Sequence, residues 1–363
     1  MVGIEIVEPA DVPVIDLNAL SSPSPAERRV ALAQLDEAYR TYGAIWLVNH
    51  SIGVDLVEEA LAWCQRFFQL PREQKQTVSM PTKNASERIE GWSDVGASIS
   101  SQGVWDPNEL EKIRAASSIE LKEVLDSLDP TSEAAQDSER LRKLDQMLPG
   151  FPAFIERWWD ACFKQQTELM RCLCEILGIA DTDFIVKQQQ TPRHGSTHLT
   201  WNYFLGMPLS PLSSGSANRL NPHTDYGQLT LLFQDMQGGL EILDPVAGIY
   251  RPVPPLKGAM IIQVGDILEK QSNGRWRSPL HRVTAPNHLM YGGNPGERSN
   301  QQEDALVSRC SIVFLCYPGY ETVIEHLPGC EKKGNWKTLE WEGNMTAGEW
   351  IKRRAALEYE RPE

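Results

Sequence analysis

Three residues of this chain could share one metal ion. In Asn221-Pro222-His223-Thr224-Asp225, a histidine and a carboxylate stand two positions apart, just after a proline that starts a new element. In an extended chain, residues i and i+2 face the same way, so both side chains can reach one ion. A third ligand should come from a strand distant in sequence and near in space. His281 qualifies. It lies just past Asn273-Gly274, read here as a type I′ hairpin turn between Gln271 and Trp276. Two imidazoles and one carboxylate on one face of an ion leave the opposite face open. That set suits iron(II) that must also hold oxygen and a further ligand. A closed structural zinc site usually recruits cysteine, and none lies near these three in sequence. Alone, a His-x-Asp pair is a weak signal, because most such pairs are surface or hydrogen-bonding groups.

A second pair adds to it. Arg309 and Ser311 open the apolar run RCSIVFLCY. Strand alternation puts Arg309, Ser311, Val313, Leu315 and Tyr317 on one face, and Cys310, Ile312, Phe314 and Cys316 on the other. A guanidinium pointing into a β-core is costly unless it meets an anion. A carboxylate would meet it through two parallel hydrogen bonds, and the serine would add a third. The plainer alternative is that Arg309 caps the strand edge and pairs with a surface acid.

The elements that must carry these residues can be outlined from pattern. Val12–Leu17 reads as a short strand. Pro25–Tyr42 reads as a helix with Leu32, Leu35 and Tyr39 on one face, ended by Gly43. Ala44–Val48 is apolar without a break, as in a strand buried on both sides. Val54–Phe68 is an amphipathic helix. Residues 83–104 read as a loop, and 107–146 as charged and helical in part. Phe151–Leu177 is a strong helix that stops at Gly178. After residue 184 short apolar runs alternate with Gly, Pro and Asn, as in a sandwich or barrel. The clearest strands are Leu229–Phe233, Leu240–Leu243, Ala259–Val264 and Ser311–Tyr317. Residues 287–304 form a long polar insertion, and Thr346–Tyr359 a closing helix. The expected organisation is one compact unit over 1–363. It comprises an N-terminal region over 12–130, a β-core over 184–325 and a C-terminal helix over 340–363.

Composition narrows the partners. The net charge of −14 repels phosphate backbones and anionic lipid, so neither nucleic acid nor membrane is expected as a partner. The N-terminus carries no signal-peptide pattern, and the seven cysteines are an odd number. Both point to a cytoplasmic protein with reduced thiols. Cys172 and Cys174 invite a metal reading. They sit in a helical pattern, however, where residues two apart point to different faces, so packing is the expected role.

The stretches HTDYGQLTLLFQD, GGLEIL, VGDILEKQSNGRWRSPLHRV and RCSIVFLCYP resemble the core of the iron(II)- and 2-oxoglutarate-dependent dioxygenases. They are most similar to the branch that includes isopenicillin N synthase and the plant flavonoid and gibberellin oxygenases. VPVIDL, AYRTYGAIWLVNHSI and FFQLPREQK resemble the N-terminal region of that branch. The resemblance implies mixed α and β structure, with a double-stranded β-helix (a distorted jelly roll) and surrounding α-helices. It implies Fe(2+), 2-oxoglutarate and O2 as cofactor and co-substrates. His223, Asp225 and His281 match the iron ligands, and Arg309 and Ser311 match the pair that binds the far carboxylate of 2-oxoglutarate. Asn202 matches an asparagine near the co-substrate. Relatives often carry a tyrosine two residues later, where this chain has Phe204. Either a hydrogen bond is missing or Tyr203 serves instead. Gly91-Trp92 aligns with a segment that covers the site in relatives, a buried core tryptophan being the alternative.

The implied activity is oxidation of a small organic molecule in specialised metabolism, by hydroxylation, desaturation or rearrangement, with succinate and CO2 released. Two rivals stand beside it. One is a same-fold iron oxidase that does not use 2-oxoglutarate, as isopenicillin N synthase does not. The other is a non-catalytic ligand-binding protein on the same fold.

Overall fold

The computed structural model describes residues 7–80, 90–97, 119–127, 129–130, 138–189, 197–209, 212, 217–286, 305–330 and 345–359. The polar insertion at 287–304 and most of the 83–104 loop lie outside them.

Strands β1 (Val14–Asp16), β2 (Ala44–Val48), β3 (Gly91–Ser93), β4 (Ile119–Glu120) and β5 (Lys122–Ser127) come from the N-terminal half. Then follow β6 (His198–Phe204), β7 (Met207–Pro208), β8 (Ala217–Asn218), β9 (Leu220–His223), β10 (Leu229–Gln234) and β11 (Leu240–Leu243). The last are β12 (Tyr250–Pro252), β13 (Met260–Val264), β14 (His281–Val283), β15 (Ala305–Leu306) and β16 (Arg309–Cys316). An eight-stranded sheet runs β1-β2-β13-β10-β16-β6-β5-β3, and a four-stranded sheet runs β12-β11-β14-β9. β15 pairs with β7, and β4 with β8. The two larger sheets face each other across one cavity. This is the expected jelly roll, and four of its large-sheet strands come from the N-terminal region.

Helices α1 (Leu17–Leu20), α2 (Pro25–Thr41), α3 (Val54–Phe68), α4 (Arg72–Gln76), α5 (Glu139–Met147), α6 (Phe151–Ile176) and α7 (Phe184–Gln189) precede the second half of the sheets. α8 (Asp266–Gln271) and α9 (Ala347–Tyr359) follow within it and after it. α2 starts as its sequence dictates. The Ser24 hydroxyl accepts from the Glu27 N–H, and Pro25 fills the first turn. It ends at Gly43, whose φ is +72° and where a Cβ would lie 2.0 Å from the Arg277 carbonyl oxygen. α6 packs on the back of the large sheet. Trp158 meets Phe233 at 4.7 Å and Trp159 meets Phe314 at 4.9 Å between ring centres. Trp158, Trp159, Phe233 and Phe314 all belong to the main buried core. Among the described residues no helix is long and apolar enough to cross a membrane. All seven cysteines are free and buried, Cys172 and Cys174 among them.

Three expectations are corrected. Asn273-Gly274 is no hairpin turn. Gln271 ends α8, and Asn273 (φ +53°) with Gly274 (φ +72°) terminates that helix, the Gly274 N–H donating to the Glu269 carbonyl. Two consecutive left-handed residues serve a helix end as well as a hairpin. Among the described residues of 107–146, α5 is the helical part and residues 119–127 form strands that the reading did not place. The charges of Lys122 and Glu123 misled the helical reading because both are buried on a strand. Gly91–Ser93 is a strand rather than loop. Trp92 is buried there, and its indole N–H donates to Glu123 at 2.8 Å, beside the Lys75–Glu123 ion pair at 2.5 Å.

Candidate metal centre and its cavity

His223 ends β9, Asp225 follows it, and His281 opens β14. The two histidines are register partners across the small sheet. Their rings lie 4.2 Å apart. The Asp225 Oδ1 is 3.9 Å from His223 Nε2 and 3.8 Å from His281 Nε2. These gaps are too long for hydrogen bonds. They match ligand atoms on a common ion, since two bonds of about 2.1 Å span up to about 4.2 Å. Each imidazole has its Nδ1 on a backbone carbonyl, His223 at 2.9 Å from Asn221 O and His281 at 3.2 Å from Pro279 O. A carbonyl only accepts, so Nδ1 carries the proton and Nε2 keeps its lone pair for the shared point. Burial pushes the His223 pKa well down, helped by the charge of His281 and, more weakly, of Lys122. The ring therefore stays neutral, as a ligand must. Asp225 Oδ2 is buried with no hydrogen-bond partner. Two imidazoles, one carboxylate with an orphan oxygen and no cysteine on the cavity wall fit iron(II).

The cavity, about 640 Å³, has one face of the large sheet as its floor. Register sets that floor in rows. Lys122, Phe204 and Arg309 are neighbours on β5, β6 and β16. Val124, Asn202 and Ser311 form the next row, then Asp126, Thr200 and Val313, with Leu232 on β10 completing it. His198, Leu315, Thr230 and Gln263 form the last.

Arg309 is 1% exposed, so it does not cap an edge for solvent. It donates to Gln234 Oε1 at 2.7 Å and to the Ser311 hydroxyl at 3.4 Å, and lies 4.8 Å over the Phe204 ring. Its Nε has no hydrogen-bond partner. Burial pulls its pKa down to about 10, against the charge of Asp235. An unspent donor on a buried cation facing a cavity is what a carboxylate ligand would satisfy. Asn202 lines the same floor. Tyr203 does not, and the idea that it stands in for the missing tyrosine is corrected. Strand alternation turns it to the helix side, where it stacks on Phe68 at 5.3 Å.

Sequence reasoning missed much of the wall. His198 and Thr200 share the face of Asn202 and could have been found by applying alternation to HLTWNYF. Burial lowers the His198 pKa to about 4, so it too stays neutral. Asp126 accepts the Thr200 hydroxyl at 2.6 Å. The opposite wall includes Ile351, Lys352 and Ala355 of α9. Arg354 anchors that helix. It is fully buried, pairs with Asp266, and donates to the Thr224 carbonyl at 3.2 Å. The Asp266 N–H donates in turn to the Asp225 carbonyl at 2.8 Å. Trp350 donates to the Tyr226 carbonyl at 3.1 Å. Both neighbours of Asp225 are thus tied to α9.

Residues 196–318 match the model of the 2OG-Fe(II) oxygenase superfamily. Residues 12–148 match the model described as non-haem dioxygenase in morphine synthesis N-terminal. The chain is 54% identical over 355 residues to the 2-oxoglutarate-dependent dioxygenase lolO1 of Epichloe uncinata, covering 98% of this chain and 96% of that one. It is 31% identical to the 2-oxoglutarate-dependent dioxygenase frbA of a Dothideomycetidae species, covering 91% and 94%. In fold it is similar to a full-length Neurospora crassa protein crystallised in complex with alpha-KG, with a TM-score of 0.75 at 24% identity, covering 97% of this chain and 99% of that one. Likeness to named 2-oxoglutarate-dependent enzymes over nearly the whole chain sets aside the oxidase that does without this co-substrate, and the non-catalytic binder. The chain belongs to the iron(II)- and 2-oxoglutarate-dependent dioxygenases.

Proposed function

We propose that His223 and His281, through Nε2, and Asp225 hold the iron(II) of this dioxygenase. Arg309 and Ser311 take the far carboxylate of 2-oxoglutarate, with Asn202 beside the co-substrate. The observation that carries this is the pairing of an open three-ligand cluster on the small sheet with a buried, incompletely satisfied guanidinium on the facing sheet. When bound, iron and 2-oxoglutarate turn one O2 into an oxidant for an unactivated C–H bond and release succinate and CO2. The chain's own residues do the rest. The Asn221 and Pro279 carbonyls fix the two imidazole tautomers. Arg309 orients the co-substrate by charge-assisted hydrogen bonds. Val124, Leu232 and Val313 make an apolar floor that excludes water and positions the substrate. No general base is assigned.

The prime substrate in this reading is a small, largely apolar or aromatic molecule of specialised metabolism. A cavity of about 640 Å³ has the size of a small-molecule site. The reading also takes the chain as one unit working in the cytoplasm. The test is succinate release from 2-oxoglutarate by the iron-loaded protein, with a panel of small organic substrates. His223→Ala and Arg309→Gln are expected to suppress it. Succinate formation that survives both substitutions overturns the assignment, and strong turnover only with peptides or nucleic acid overturns the substrate class.

A further inference from the structure

The basic end of the cavity holds a cation that this mechanism leaves unused. Lys122 opens β5 opposite Phe204, with Arg309 on the other side of the same phenylalanine. It lines the cavity and is only 8% exposed. An ammonium that deep loses most of its hydration and needs acceptors in return. Among the described residues its ionic partner is Glu120, at 3.6 Å, beyond hydrogen-bonding reach. Glu120 turns Oε2 toward it, while its Oε1 accepts from the Asn221 N–H at 3.0 Å, two residues before His223. This contact holds the Lys122–Glu120 pair beside the metal-binding strand. Phe204, between the two cations, offers no hydroxyl.

We infer that Lys122 is a carboxylate-binding residue of the cavity, taking the metal-side carboxylate of the 2-oxoacid while Arg309 and Ser311 take the far one. The inference rests on the assignment of Arg309 and Ser311 above. The spacing suits it. Strands about 4.8 Å apart put the Lys122 and Arg309 backbones roughly 10 Å from each other, a span that a five-carbon dicarboxylate bridges between two long cationic side chains. The residue types suit it as well. The far carboxylate meets the planar fork of an arginine. The near one turns an oxygen to the metal and needs a single rotatable donor, which a lysine supplies. A carboxylate on the prime substrate is the other source of this chemistry, and the test separates the two.

The experiment reads binding rather than turnover. The full-length protein is loaded with manganese(II) or, without oxygen, iron(II), with no prime substrate present. Affinity for 2-oxoglutarate is measured by calorimetry, and the charge-transfer absorption of the iron form is a second readout. Lys122→Met is expected to weaken binding roughly 10- to 100-fold, the size of one lost hydrogen bond to a charged group. Lys122→Arg is expected to recover most of it. The double variant Glu120→Gln/Lys122→Met keeps the buried charge balanced and is expected to bind as weakly as Lys122→Met. 2-Oxovalerate keeps the metal-side carboxylate and lacks the far one. With it the Lys122→Met penalty persists and the Arg309→Gln penalty disappears. Unchanged 2-oxoglutarate affinity in folded Lys122→Met, with Arg309→Gln weakened, overturns the inference and leaves the site reading standing. A lysine that serves only the prime substrate gives that result. A Lys122→Met penalty that vanishes with 2-oxovalerate overturns the metal-side assignment. Wild-type affinity in Arg309→Gln would instead remove the reading beneath.

Discussion

At the basic end of the cavity each polar side chain stands on a strand, and ladder register sets the distance between one and the next. Lys122, Arg309, Asn202 and Ser311 all belong to three adjacent strands. The opposite end takes its wall from α9 and from Tyr317, Tyr320 and Glu321 beyond β16. There, position depends on how a helix docks. A ladder positions a group through many backbone hydrogen bonds at once, so a substitution on it is felt mainly by the ligand. A docked helix hangs on a few buried side chains, so a substitution there is felt first as lost stability. Arg354 joins the two ends, because the helix it anchors also braces the turn that carries Asp225.

The contrast can be broken by measurement. His223→Ala should have the largest effect. Loss of an outer partner of a metal ligand already costs about 10- to 100-fold in affinity, so loss of the ligand itself should exceed that. Iron content after dialysis reads it, and full retention of iron would remove the proposed centre. Arg354→Met should come next, at about 3–5 kcal/mol of stability, because it leaves Asp266 buried without its cation. Denaturant unfolding measures it. An unchanged midpoint would mean that α9 is not held by this pair.

A smaller effect should follow pH. Burial, and then the charge of Asp266, pushes the Glu269 carboxyl up from 4.5 to about 7. The folded protein then holds this proton more tightly than the unfolded chain does. Its stabilising contribution is full below about 4.5 and is lost as pH rises through about 7. Glu269→Gln should flatten that decline, an effect on the order of 1–3 kcal/mol at pH 8. A melting temperature with the same pH slope in both proteins would count against it. Tyr203→Phe should do least. Tyr203 faces the helices, so the KM for 2-oxoglutarate should stay within about 2-fold of wild type, a surface-like change of under ~0.5 kcal/mol. A marked rise in KM would mean that β6 presents its other face to the co-substrate.

Legibility in sequence followed the same division. Periodicity placed α3 at its observed bounds and sorted the faces of β16, because amphipathic patterns report local geometry directly. The cluster of His223, Asp225 and His281 was legible through its short spacing and its resemblance to a family. Asn273-Gly274 was misread because left-handed residues signal a reversal without saying what precedes it. The strand that opens at Lys122 was missed because charge on a strand looks like a solvated helix until its partners are known.

By itself the amino-acid sequence determined most of the helices and core strands, the two faces of β16 and the residue types able to hold a metal and an anion. These depend on covalent order and on periods of two and 3.6 residues. Only the tertiary structure decided that Lys122, Phe204 and Arg309 share a row, that Tyr203 turns away, and that Arg354 reaches the turn bearing Asp225. Each of these is set by pairing or docking between distant segments, whose register is chosen by the burial of whole faces rather than by any local signal.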